Sequence, residues 1–326
     1  MKKIEWTMLA VFCLTLIWTT WSLALQKPSV SEELKISIAE QYGLAYAPLQ
    51  IMKDMKFLEK QIPGLKVEWT QLSNTAAIRE AMLAGRVDVG FMAIPPFLIG
   101  WNHGMQWKIA CGLSESPVGL VTNKKKLRSL KDFTKDDRIA LPQPGSVQHI
   151  LLAMACERQF GDAKKLDNQL VTLSHPDGMN ALLAKKDITA HFTAPPYLFK
   201  ELANPDLHQI MDGTTAFGKQ FTFIVGVTTV QFHRQNPRVF KAFIVALQEA
   251  LRFMQQNPDQ TVTRLSAEYG IPAAELAEYF RARGMKYTLN VKGVTKFAVF
   301  MKRQGYIDKL PRKMSDIYWE NTRYEK

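Results

Sequence analysis

The 326-residue chain is 47% hydrophobic and 22% charged, the balance of an ordinary globular protein, which excludes disordered, collagen-like and polytopic membrane chains. Its net charge of +12 falls to about +11 without Lys2, Lys3 and Glu5, since two positive charges and one negative leave together. Much of the excess lies in residues 281–326, where twelve Lys/Arg face four Asp/Glu, a solvated face suited to anionic solutes or lipid headgroups; no basic-aromatic motif points to nucleic acid.

At the N-terminus, Lys2 and Lys3 precede an apolar run from Met8 to Leu25, with Ser22 and Ala24 at the small-residue positions a signal peptidase prefers. Residues 1–25 therefore read as an export signal, cleaved or retained as a membrane anchor, and place the protein in the periplasm or another extracytoplasmic space. Bulky Phe12 argues against a lipoprotein site at Cys13, and the two remaining cysteines, Cys111 and Cys156, sit in apolar surroundings as buried thiols. Six scattered histidines offer no metal-ligand spacing, and no cofactor motif is present.

From Leu34 onward, short β-type runs alternate with helical stretches, the signature of an α/β fold with a largely parallel sheet. Leu34 to Ile38 and Val67 to Thr70 alternate with period two and give the first strands. The spacing of Leu49, Met52, Phe57 and Leu58 predicts a helix over 48–60. Ser73-Asn74-Thr75 supplies caps for a helix stopped by Gly85, and the strand Val87 to Phe91 runs into Ile94-Pro95-Pro96, read as a rigid proline loop.

About one hundred residues on, Ala81, Leu83, Ala84, Pro95, Pro96 and Leu98 recur as Ala181, Leu183, Ala184, Pro195, Pro196 and Leu198, so two lobes on one plan are expected. Lobe one takes residues 34–118 plus 225–326 with C-terminal helices, and lobe two takes 119–224. Crossings near Val118 to Thr122 and Phe221 to Thr229 form a two-segment hinge. From Pro237, a stripe of Phe240, Phe243, Ile244, Leu247 and Leu251 predicts a helix that packs back on the first lobe.

Ligands of open α/β sheets bind at the carboxyl ends of strands, and four segments qualify. The loop Gln41 to Pro48 carries Tyr42 and Tyr46, rings that either close over a ligand or pack a connection. Asn74 and Thr75 open a helix whose free N–H groups suit an anionic oxygen, beyond simple capping. Pro142 to His149 is the best-formed anion cradle, with Gly145 for close approach, Ser146 as cap and donor, Val147 opening the helix, and Gln148 and His149 in its first turn. The proline loops add Ile94, Pro95, Thr193 and Pro195. None of these loops holds Lys or Arg, which favours a monovalent anion, a zwitterion or a neutral ring over a buried multivalent anion. Motifs for a nucleophile elbow, P-loop, dinucleotide fingerprint or zinc protease are missing, and Asp88 and Asp177 have no evident acid-base partner.

Ala47-Pro48-Leu49, Phe57 to Lys60, Ala84-Gly85-Arg86-Val87-Asp88-Val89-Gly90, the Pro142 to His149 loop and Asn290 to Gly293 with Phe297-Ala298 together resemble periplasmic binding proteins of the nitrate, sulfonate and taurine type. The resemblance implies a type II periplasmic binding protein fold, closure of two lobes on a ligand, and release to the permease of an ABC importer; the expected ligand is a small anion, and a monomer suits delivery by docking. It places family ligand contacts on Tyr42, Asn74, Thr75, Pro95, Ser146, Val147, Gln148 and Thr193, and implies no catalysis. The alternative is an enzyme on the same fold, similar to the thiamine-pyrimidine synthase, whose cysteine-rich iron motif is missing here, or to quinone-pathway enzymes.

Overall fold

The computed structural model describes residues 34–325; the expected export segment lies outside them. Among the described residues no helix is long and apolar enough to cross a membrane. The described residues form eleven strands in two sheets. β1 (Lys35–Glu40), β2 (Lys66–Gln71), β3 (Val89–Ala93) and β4 (Trp107–Glu115) belong to the first, and β5 (Gly119–Thr122), β6 (Ile139–Leu141), β7 (Leu170–Thr172), β8 (Ala190–Thr193) and β9 (His208–Asp212) form the second. β10 (Ile224–Thr229) and β11 (Lys286–Tyr287) return to the first.

The strand orders, β11-β4-β10-β3-β1-β2 and β7-β6-β8-β5-β9, follow one plan. In each sheet three parallel strands are followed by one antiparallel strand that arrives from the other lobe: β10 beside β3 and β4, β5 beside β8 and β9. Parallel strands need crossover helices, and these cover the sheet faces, so β1 and β3 are buried on both sides and read as apolar runs. The passage from first sheet to second occupies residues 116–118, a little earlier than the sequence suggests, because Gly119 to Thr122 is already paired in the second sheet. On the return, Ile224 to Thr229 is already strand in the first.

Local departures from the sequence reading have physical causes. The predicted 48–60 helix is two, Ala47–Asp54 and Phe57–Gln61, because Lys56 takes a left-handed conformation at φ 51° that re-aims the chain and buries Leu58. Pro95 and Pro96 do not form a loop: they occupy the first turn of the helix Ile94–Asn102, where a missing N–H costs nothing. The helix Pro237–Gln256 buries Phe240, Phe243 and Leu247, and lies against both of the short helices after β1. Ring pairs fix it there: Phe243 with Phe91 at 6.1 Å and Phe253 with Phe57 at 6.3 Å. Cys111 and Cys156 are buried free thiols, and burial pushes both up to about 12, which leaves them unreactive.

Candidate functional site

The cleft lies where the carboxyl ends of β1 and β3 in one lobe meet those of β6 and β8 in the other. Three helices begin there: Thr75–Leu83, Val147–Phe160 and His175–Leu183, and the first residue of each lines a shared cavity of about 40 Å³. Each start is capped, by Asn74 Oδ1 accepting from Ala77 N at 3.1 Å, Ser146 Oγ from His149 N at 3.3 Å and Ser174 Oγ from Asp177 N at 3.3 Å. The remaining first-turn N–H groups have no intrahelical acceptor, and three helix dipoles present partial positive charge to one small space. A water needs about 10–15 Å³ by this measure, so the closed cavity has room for a group of a few heavy atoms.

Of the residues read from sequence, Tyr42, Tyr46, Thr75, Ser146, Val147, Gln148 and Pro195 line the cavity. Five are placed elsewhere. Asn74 spends its side-chain oxygen on the cap, and Ile94 is wholly buried in the core. Pro95 stands beside the lining residue Pro96. Thr193 lies one layer back, with Oγ1 3.1 Å from His175 Nδ1. His149 turns inward: its Nδ1 accepts from Gly145 N at 2.9 Å and its Nε2 faces Asp167 Oδ1 at 3.0 Å, so the ring holds the loop rather than a ligand.

The structure adds Gln41, Ser73, Gln143, His175 and Phe223. His175 has a signal in the sequence: the hundred-residue echo that pairs Ala81 with Ala181 pairs Thr75 with His175, so the second lobe's counterpart of a candidate was already marked. Gln143 closes the cleft, its Oε1 accepting from Ala76 N in the other lobe at 3.1 Å. Gln41 Nε2 donates to Thr75 Oγ1 at 3.2 Å and holds that hydroxyl in place.

Among the described residues no Asp, Glu, Lys or Arg lines the cavity; its polar groups are amides, hydroxyls and one imidazole. Ionisable groups stand behind it. Glu40, at the end of β1, is hydrogen-bonded by the Gln50 amide beneath Tyr46, and burial pushes its carboxyl up to about 8. On the other side, burial pushes Glu201 up to about 9 and His191 down to about 3. Burial and the neighbouring His191 imidazole also push His175 down to about 3, so both imidazoles are neutral at pH 7.

A protein-family model described as the NMT1-like family matches residues 30–269. The chain belongs to the NMT1-like family. No curated protein matches it. Among solved structures, this NMT1-like protein is similar to the alkanesulfonate-binding protein SsuA from Xanthomonas axonopodis pv. citri bound to MOPS, with TM-score 0.72 and 18% identity over 87% of this chain and 98% of that one. The periplasmic nitrate-binding protein NrtA from Synechocystis PCC 6803 gives TM-score 0.69 at 16% identity, over 87% and 84%. The Candida albicans CA3427 gene product, described as having the generic periplasmic binding protein fold, gives 0.69 at 15%, over 90% and 98%. The NMT1-like chain has that fold, as the sequence resemblance implies.

Proposed function

We propose that the protein is an extracytoplasmic solute-binding protein that closes two lobes over a small monovalent anion, of the sulfonate or nitrate kind, and hands it to the permease of an ABC importer. The observation that carries this reading is the cavity itself: three helix N-termini converge on a space lined by neutral donors, with no fixed charge of either sign. Partial positive charge from dipoles and N–H groups suits a single negative charge. A buried dianion would lack a countercharge there, and a buried cation would face the wrong ends of the helices.

Closure is built from direct contacts between the lobes, so affinity is shared between ligand contacts and the contacts that closure creates. The structures of SsuA and NrtA, described as binding alkanesulfonate and nitrate, support the choice of anion class. Calorimetric titration with methanesulfonate, nitrate and taurine tests it. One of them should bind saturably at one site, and Gln148→Ala should weaken that binding about tenfold or more, the effect of losing a hydrogen bond to a charged group. Saturable binding of none of the three would contradict the anion class.

A further inference from the structure

A file of polar groups, buried at its inner end and half-buried at His175, leads from the core of the second lobe to the ligand space. Glu201 and His191 are both 0% exposed, and Glu201 Oε1 lies 2.6 Å from His191 Nδ1. His191 Nε2 stands 3.4 Å from His175 Nδ1, and His175 Nε2 stands 3.2 Å from Gln148 Nε2, the amide being placed with its NH₂ end toward the imidazole. His175 and Gln148 line the cavity; Glu201 and His191 do not. Gly178 makes the approach feasible, since a Cβ there would lie 2.5 Å from His191 Nε2.

The order of protons along this file follows from burial. An uncompensated charge in the core costs far more than a neutral file, so Glu201, His191 and His175 together hold three protons. One sits on Glu201 Oε1 and is donated to His191 Nδ1 across the short gap between them. The alternative, a proton on Glu201 Oε2, would orphan a buried O–H, because Oε2 has no hydrogen-bond partner among the described residues. With that gap filled, the one N–H of neutral His191 sits at Nε2 and points to His175 Nδ1, which then accepts from the Thr193 hydroxyl as well. The proton of His175 is then at Nε2, facing Gln148. Two N–H groups cannot bond each other, and the two ends of a primary amide have the same shape, so an N–H at His175 Nε2 requires the amide to turn over from its placement with Nε2 against the imidazole, bringing the oxygen to His175 and the NH₂ to the cavity.

We propose that Glu201 and His191 are positioning residues for the ligand: through His175 they turn Gln148 so that its NH₂ group faces the cavity, and so select solutes that present an oxyanion rather than a hydrogen-bond donor. The inference rests on the solute-binding reading above. The other titratable groups packed against the file are Tyr197, stacked on His175 with ring centroids 5.8 Å apart, and Tyr42, which acts on Tyr197. Burial and Tyr42 push Tyr197 up to about 12, so it stays neutral while Glu201 titrates near 9. Above that pH the file loses one proton, His191 turns its N–H toward the carboxylate, and the sense of every bond reverses out to Gln148.

Nitrogen-15 NMR of the histidine-labelled, ligand-free protein reads the tautomers directly. At pH 7, His191 and His175 should both carry the proton on Nε2. As pH rises through about 9, both should move to Nδ1. Glu201→Gln, whose amide N–H fills the same gap, should hold Nε2–H at every pH. With methanesulfonate as the probe, affinity of the natural protein should fall about tenfold or more from pH 7 to pH 10, and that of Glu201→Gln should stay level. An Nδ1–H tautomer of His175 at pH 7, or an alkaline switch that survives in Glu201→Gln, overturns the inference. The tautomers need no ligand: failure of methanesulfonate to bind while both histidines hold Nε2–H would overturn the anion reading and leave the proton order standing.

Discussion

The backbone N–H of Leu44 donates to the carbonyl of Pro195 at 3.0 Å, joining the loop after β1 to the loop after β8 directly across the cleft. Gly43 allows it. Its φ of +124° is a conformation that side chains rarely adopt, and a Cβ there would meet the Pro195 oxygen at 3.0 Å. Gly43→Ala should therefore penalise the closed form by about 1–3 kcal/mol, which appears as a ten- to hundredfold loss of ligand affinity. Titration gives the affinity, and thermal unfolding without ligand shows whether the open protein is spared. Unchanged affinity would remove this contact from the closing mechanism.

A second tie can be cut without straining the backbone. Gln143→Ala removes the acceptor for Ala76 N and frees a helix N-terminus in the other lobe. The loss of one hydrogen bond, about 0.5–1.5 kcal/mol, should weaken ligand binding two- to tenfold and raise the radius of gyration of the liganded protein measured by small-angle scattering. Tighter binding in the variant would mean that Gln143 competes with the ligand for that N-terminus.

Two serine caps separate fold from function. Ser146 and Ser174 each cap a helix in the second lobe, but Ser146 lines the cavity and Ser174 does not. Alanine at either position should cost about 1 kcal/mol of stability, and Ser146→Ala alone should also weaken ligand binding. Equal effects of the two variants on affinity would deny Ser146 a place in the site.

Stability should peak in mild acid. Folded Glu40 and Glu201 hold their protons to about 8 and 9, whereas unfolded carboxyls release theirs near 4.3, so stability falls as pH rises through that window. His175 and His191 remain neutral down to about 3, whereas unfolded imidazoles bind protons below about 6.5, so stability also falls on acidification below that point. The two trends oppose one another between about pH 4.5 and 6.5, and above pH 6.5 the carboxyls act alone. Melting temperatures across pH 4–9 should therefore decline from pH 6.5 to 8.5, less steeply in Glu201→Gln. A rising curve over that interval would show that these carboxyls are ionised in the folded protein.

Much of this architecture was legible because its punctuation is local. Caps at Asn74 and Ser146, the prolines after β3 and β8, and period-two strands place the cleft loops at the carboxyl ends of parallel strands. Side-chain direction was not local. His149 follows Ser146 by three residues, yet Asp167, eighteen residues on, draws its ring into the second lobe. Thr193 ends a strand at the cleft but points to His175, because β8 buries its residues on both faces. The Glu201–His191 pair joins a helix to a strand ten residues away, and no periodicity marks a partner of that kind.

The most direct test of lobe closure on an unaltered solute is thermal unfolding of residues 26–326 with methanesulfonate, nitrate or taurine, followed by mass spectrometry of the recovered ligand. At one hundred times its dissociation constant, the true ligand should add about 2.7 kcal/mol of stability and return chemically unchanged. Stabilisation accompanied by a converted ligand would contradict the account and make the protein an enzyme on a binding-protein fold.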